Sequence, residues 1–284
     1  MSNSDTTVSQ APGAKNIAQG KRARPGNAKR RNAKLVVLAY QLSLVAGILV
    51  IWQVAVDRGF VSAFLYGSPA AIATGLMTTV NDGSIWDDTL LTGSETLAGF
   101  VLGNIIGTAI GLSLWYSRFV SRLMQPFIMA IGSIPIVALA PIAIIWFGTG
   151  FASKVAMATL SVVVVSLMIS YKGAMGVEPD QINLMRSLGA TKHQIFGLLI
   201  VPASFTDIFA GLKLTVSLAL IGAIIGEFMS STAGLGHEIF KAGSLYAIGQ
   251  VFAELVITVA LALILSSIVT RVEKWLLPWR HDLS

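Results

Sequence analysis

Apolar and polar positions alternate along the chain on a long scale, with extended apolar runs separated by short polar segments. Six runs, at about 35–56, 94–115, 124–147, 152–171, 206–229 and 251–270, each hold 20 or more mostly apolar residues. A helix needs about 20 such residues to cross a hydrocarbon core of about 30 Å. The pattern predicts an all-α integral membrane protein with six transmembrane helices. Residues 1–34 are polar and rich in Ser, Ala, Gly and Lys/Arg, and are expected to form a disordered basic tail. Residues 35–280 form the membrane domain, with a polar loop at 172–205. A cleaved signal peptide is the alternative for 1–56, but its apolar region would be 22 residues long, where about 7–15 is usual. An uncleaved first span is the better reading.

Inside the polar loop, DQINLMRSLGATKHQIFGLLIVP (180–202) carries the signals of a helical hairpin. Glu178 can cap and Pro179 can start a short helix, and Gly189 stops it in the left-handed conformation that glycine adopts cheaply. Thr191 and Gln194 form a capping box for a second helix running to Pro202. Such hairpins are common where two helices meet, so this one does not by itself define a function.

Two spans have further internal signals. Gly99, Gly103, Gly107 and Gly111 recur at intervals of four on the second; they share one face and make a groove for close helix packing. The third contains Pro135 and Pro141, each of which removes a backbone hydrogen bond and crowds the preceding turn. It is expected to be a kinked helix, either static or gating.

Charge sets the topology. Only 12% of residues are charged, against roughly 25% in a soluble domain. A net charge of +6 would suggest nucleic acid in a soluble chain, but here the positions of the charges decide. Eight of the 20 Lys and Arg residues lie between Lys15 and Lys34. Following the spans in alternation, 17 positive charges fall on one side and three, Arg58, Lys154 and Lys241, on the other. The positive-inside rule makes both termini and the 172–205 loop cytoplasmic, with anionic lipid headgroups rather than nucleic acid as the contacts of the basic residues.

Candidate chemistry is sparse. The chain has no cysteine, which excludes disulfides and thiolate ligands. His193, His237 and His281 fall in three separate loops or tails, so no metal site is expected. P-loop, His-Glu-x-x-His and Gly-x-Ser-x-Gly patterns are all missing from the sequence, so neither ATP hydrolysis nor another catalytic activity, nor a cofactor, is expected of this chain. Glu95 and Glu227 lie near predicted outer ends, where reaching headgroups or water is the expected state. Glu254 lies one turn into the sixth span without a cationic partner in sequence.

The string Arg186-Ser-Leu-Gly189-Ala190, with Pro202 thirteen residues after the glycine, resembles the cytoplasmic "EAA" loop of bacterial ABC-importer permeases. Asn183, Leu184 and Met185 stand where that family usually has Glu-Ala-Ala. The run from Ala138 through Pro141, Trp146 and Phe147 to Gly150 is similar to a helix of the nitrate/sulfonate/taurine-type group. Gly67-Ser-Pro69 before a short external amphipathic helix, Gly226-Glu227, Gly234-Leu-Gly236 and the Trp275/Trp279 C-terminus extend the resemblance over about 35–280. Thr206-Asp207 departs from it, standing where relatives often have Pro-Gly.

The resemblance implies a type I importer permease in a bacterial inner membrane. It works as a homodimer with two cytoplasmic ABC ATPase subunits and an external solute-binding protein. Asn183, Leu184, Met185, Arg186, Gly189, Ala190 and Pro202 would form the ATPase-coupling loop. Ile182, Met185 and Gly189 on one face, with Leu184 and Leu188 on the next, would make an apolar knob for the ATPase. Ser133, Pro135, Pro141 and Glu227 are the candidates for gating or the translocation path. The implied substrates are small anions such as sulfonates, taurine or nitrate, or heterocyclic vitamin precursors. A stand-alone carrier or channel is the competing class; its inverted repeats are not evident.

The topology predicts a labelling pattern. In intact cells Pro25→Cys, Val120→Cys, Ala190→Cys and Pro278→Cys will resist an impermeant thiol reagent, and Ser84→Cys and Phe240→Cys will react. Labelling at position 190 from outside would reverse the orientation.

Overall fold

The computed structural model describes residues 27–276, and every regular element among them is helical. In chain order these are α1 (Asn27–Asp57), the single turn α2 (Ala63–Tyr66), α3 (Pro69–Asp82), α4 (Ser84–Ser113), α5 (Arg118–Gly132), α6 (Ala140–Phe147) and α7 (Phe151–Met175). They are followed by α8 (Pro179–Ser187), α9 (Lys192–Ile195), α10 (Val201–Ser230), α11 (Leu235–Ser244) and α12 (Ile248–Leu276). The chain divides into two units, Met1–Ile51 and Trp52–Ser284. In the first, α1 begins at Asn27, inside the segment expected to be unstructured; residues 1–26 and the end of the chain from 277, with Trp279, lie outside the described residues. The segment Val36–Asp57 is long and apolar enough to cross a bilayer.

The second unit is built on α4, α7 and α10, which pack against one another. The glycine face of α4 lies directly on α7. A Cβ added at Gly103 would stand 2.6 Å from the Val162 Cβ, and one at Gly107 would stand 2.5 Å from the Val163 carbonyl oxygen and 2.7 Å from the Ser166 Cβ. Gly99 meets Ala158 and Gly111 meets Leu167 and Ser170 in the same way. The α7 partners Ala158, Val162, Ser166 and Ser170 are themselves four residues apart, so two small-residue stripes run along each other for four turns. On the other side of α7, Gly222 of α10 lies against the backbone of Met157 and Ala158. Between the three helices Thr215 Oγ1 donates to Asn104 Oδ1 at 3.2 Å, and the hydroxyls of Thr108, Ser166 and Ser170 form a chain at 3.2 Å. Polar side chains at membrane depth thereby pair across helices.

The third predicted span is not one kinked helix. It is α5 and α6, bent by 89° at a break. Pro135 adopts an extended conformation (φ −60°, ψ 121°) ahead of a 3-10 turn, Ile136–Leu139. Pro141 sits in the first turn of α6, where its missing N–H would have had no partner in any case. Proline therefore starts the second piece rather than distorting a continuous helix. Five helices are long and apolar enough to span, or six if the bent pair counts as one crossing.

The second loop helix does not end at Pro202 either. From Lys192 to Ser230 the chain is one continuous helical run, with a π turn at Phe196–Ile200 immediately before the proline. Widening that turn relieves the clash of the ring with the preceding carbonyls. Thr206 and Asp207 lie inside the run, with Asp207 beside Gly173 of α7. Helix α3 is capped by Ser68, whose Oγ accepts from Ala71 N at 3.1 Å. This helix packs on α12, with Gly75 against Ala253 and Gly249 against Ala71.

The stripe contact makes Gly103→Leu and Gly107→Leu structural lesions. Each overpacks the α4–α7 interface by about 1–3 kcal/mol or more, and will lower the thermal midpoint in detergent and the yield of assembled protein before it alters substrate choice. Normal stability and transport in both would mean that the stripe is not a packing surface.

Candidate functional site

Helix α8 is fixed at both ends by backbone chemistry. Glu178 occupies the cap position in an extended conformation but its side chain makes no capping bond; Pro179 supplies the first turn. At the other end Gly189 takes φ +82°. Its N–H donates to the Arg186 carbonyl at 2.9 Å and that of Ala190 to the Met185 carbonyl at 3.0 Å, the paired bonds of a Schellman ending. Thr191 then opens α9 with a complete capping box, its N–H donating to Gln194 Oε1 at 2.8 Å.

The expected apolar knob splits in two. Ile182, Met185 and Ala190 pack inward on a cluster formed by Leu112, Ala174, Ile195 and Ile200. Leu184 and Leu188 remain exposed, at 60% and 75%. Met185 is thus an anchor of the hairpin, and the knob is the Leu184–Leu188 edge. Asn183 and Arg186 occupy a further face, lining a cavity of about 400 Å³ with Trp115, Tyr116, Arg118 and Lys192. Pro202 lies past the π turn, outside the hairpin.

Around the bend, Ser133, Pro135 and Pro141 are exposed, and the Ser133 hydroxyl returns to its own helix, donating to the Met129 carbonyl at 2.8 Å. A cavity of about 310 Å³ adjoins the break, lined by Gly132, Ile134, Ile136, Leu139 and side chains of α7 and α10 including Ser161 and Leu218. These residues remain candidates for a path.

Glu227 is placed differently. Neither it nor Glu95 reaches water: they are 1% and 2% exposed. Glu227 Oε1 accepts from Thr92 Oγ1 at 2.6 Å and Oε2 accepts from the Gly236 N–H at 2.6 Å. The same Thr92 hydroxyl accepts from Leu235 N at 2.9 Å, and Asp88 Oδ1 accepts from Gly234 N at 2.6 Å. Three backbone donors at the start of α11 are therefore capped by side chains of α4 and α10. Buried Lys154 donates to the carbonyls of Thr149 and, at 3.0 Å, Ser230. Glu227 is a tertiary cap for α11, and the sequence reading missed Asp88 and Thr92, which cap the same helix start. The available signal was the pair Gly234 and Gly236: a Cβ at either would collide with the Glu227 carboxyl. Glu254 finds neutral partners, accepting from Thr79 Oγ1 at 3.0 Å and Gln250 Nε2 at 2.8 Å.

A three-helix membrane core, a break in one crossing and a capped polar hairpin define a membrane permease. Residues 99–278 match the family described as binding-protein-dependent transport system inner membrane component, and the chain belongs to that family. It is 33% identical to the riboflavin transport system permease protein RibX of Chloroflexus aurantiacus, over 82% of this chain and 87% of the relative. With SsuC of Bacillus subtilis, a permease named for aliphatic sulfonates, it shares 27% identity over 85% of this chain and 87% of the relative. A solved chain of the MetNI methionine ABC transporter has the same fold, with a TM-score of 0.61 at 18% identity, over 67% of this chain and 95% of the other. The protein is a multi-pass inner-membrane permease subunit of an ABC importer, with the type I importer fold.

The α11 cap predicts that Glu227→Ala destabilises the protein by about 1–3 kcal/mol, the cost of a buried donor left unpaired. Glu227→Gln, which keeps an acceptor oxygen, will cost less. Thermal unfolding of the detergent-solubilised protein measures both; two variants equal to the parent would remove the cap from the account of stability.

Proposed function

We propose that this chain is one half of a homodimeric translocator, with both termini in the cytoplasm. Two cytoplasmic ABC ATPase subunits dock on α8, and an external solute-binding protein delivers substrate to the opposite side, at the end that carries α3 and α11. The observation that carries the reading is the exposed Leu184–Leu188 edge on a hairpin whose other apolar residues are committed to the chain's own core. An apolar edge on a rigid polar hairpin fits a partner groove. ATP-driven closure of the partners would displace α8, and α9 would pass the movement into α10, because the two belong to one helical run. The outcome is a two-state change of access around the α5–α6 break, biased from both sides by ligands, with no covalent chemistry in this chain.

The substrate is a small solute: an anion of sulfonate, taurine or nitrate type, or a heterocyclic vitamin precursor. The relatives' names span both classes. Identifying the ligand of the external binding protein decides between them.

The docking reading is tested by Leu184→Asp with Leu188→Asp, and by Gly189→Val. The double variant will insert and fold normally but lose ATPase association by roughly ten-fold or more, from a cost of about 1–3 kcal/mol for a charge facing an apolar groove. Gly189→Val penalises the left-handed ending by about 1–2 kcal/mol and will uncouple uptake in the same way. Met185→Asp, in contrast, will destabilise the permease itself. Pull-down of the ATPase from detergent and uptake into vesicles are the measurements. Full association and uptake in the double variant would remove the Leu184–Leu188 edge from the docking surface.

A further inference from the structure

The cavity at the root of α8 has a chemistry that the docking edge does not use. Its wall includes Arg118 from the start of α5, Arg186 from α8 and Lys192 from the start of α9, and no carboxylate. The ion pairs seen among the described residues, Lys213–Glu273 and Lys241–Glu238, engage none of the three. Lys192 is held in place: its ammonium donates to the Tyr116 carbonyl at 2.5 Å and lies 5.9 Å and 5.8 Å from the Trp115 and Tyr116 ring centroids. Rings and a carbonyl orient a cation without neutralising it. Asn183 adds an uncharged amide at the same wall. Three cations with no ion-pair partner among the described residues therefore line one cavity of about 400 Å³, a setting that favours an anion.

We propose that this cavity binds the phosphate of an anionic phospholipid headgroup from the cytoplasmic leaflet. The position argues for a lipid source. Trp115 and Tyr116 follow the end of α4, and Arg118 opens α5, so the wall sits where a span ends. Aromatic and basic side chains concentrate at that depth, and basic pockets between helices there take lipid headgroups. The lining residues of α8, Pro179, Ile182, Asn183 and Arg186, follow the three- and four-residue spacing of a single helix face. Leu184 and Leu188 lie off that face, so the anion site and the ATPase edge are separate surfaces of one helix. A bound headgroup would bridge α5, α8 and α9 and fix the hairpin to the membrane. The leaflet assignment rests on the orientation proposed above; the anion site itself rests on the cavity.

The test uses the full chain in nanodiscs, without ATPase, so that its result is independent of the docking reading. Fluorescence quenching of Trp115, isolated by subtraction of Trp115→Phe, is compared for brominated phosphatidylglycerol and brominated phosphatidylcholine. Phosphatidylglycerol will occupy the site more tightly, with each cation worth roughly five-fold. Arg118→Gln and Lys192→Gln will each erase about that much of the preference, Lys192→Arg will restore it, and excess inorganic phosphate will leave the lipid signal unchanged. Unaltered thermal unfolding of the Gln variants shows that the loss is not misfolding. Equal quenching by the two lipids overturns the proposal. Displacement by inorganic phosphate overturns the lipid source in favour of a free-anion site.

Discussion

The packing of α4 on α7 without intervening side chains is the constraint on which the rest depends. In lipid the hydrophobic effect gives helices little reason to associate, so contact must come from dispersion and interhelical hydrogen bonds. Both require backbones to approach closely, and the four glycines opposite Ala158, Val162 and Ser166 allow it. The same approach brings Asn104 and Thr108 within reach of the α7 and α10 hydroxyls. It also places the α11 cap, because Asp88 and Thr92 stand eleven and seven residues before Gly99, three and two turns along the same face of α4. The residues that hold α11 are thus extensions of the stripe that holds the core.

Three of the buried ionisable groups follow the rule that charge at membrane depth must be engaged, while Glu95, 2% exposed, leaves Oε2 without a hydrogen bond. Lys154 is surrounded by carbonyls, Glu254 by neutral donors, and Glu227 by a hydroxyl and a backbone N–H. Their role is architectural: each ties together segments distant in sequence. Lys213 and Glu273 do the same between α10 and α12, at 2.7 Å. Helix α11 takes its cap from two different helices, so it cannot be reoriented without breaking bonds to α4 and α10.

Features legible in the sequence were those encoded locally. Gly189, Thr191 and Gln194 state their backbone roles within a few residues, and the glycine stripe is a simple period. What escaped was tertiary. Nothing near Glu227 or Gly234 in sequence names Thr92 or Asp88 as their partners, since these lie more than 130 residues away. The face of α8 that turns inward is decided by Ile195 and Ile200 beyond the hairpin, so Met185 read as exposed. Pro135 and Pro141 signalled a disturbance, but whether proline kinks one helix or starts another depends on its position in a turn, which spacing alone leaves open.

The π turn at Phe196–Ile200 has a consequence for phase. Ile195 and Ile200 are both buried, in one cluster, although five residues of regular helix, at about 100° each, would place them far around the axis. The wider turn absorbs the fifth residue and returns both side chains to the same side. From there Ser204 continues the buried line at a spacing of four. One surplus residue therefore sets the rotational phase between the hairpin and the thirty residues of α10 that follow it, so that the face buried at the hairpin continues as the face buried in the membrane.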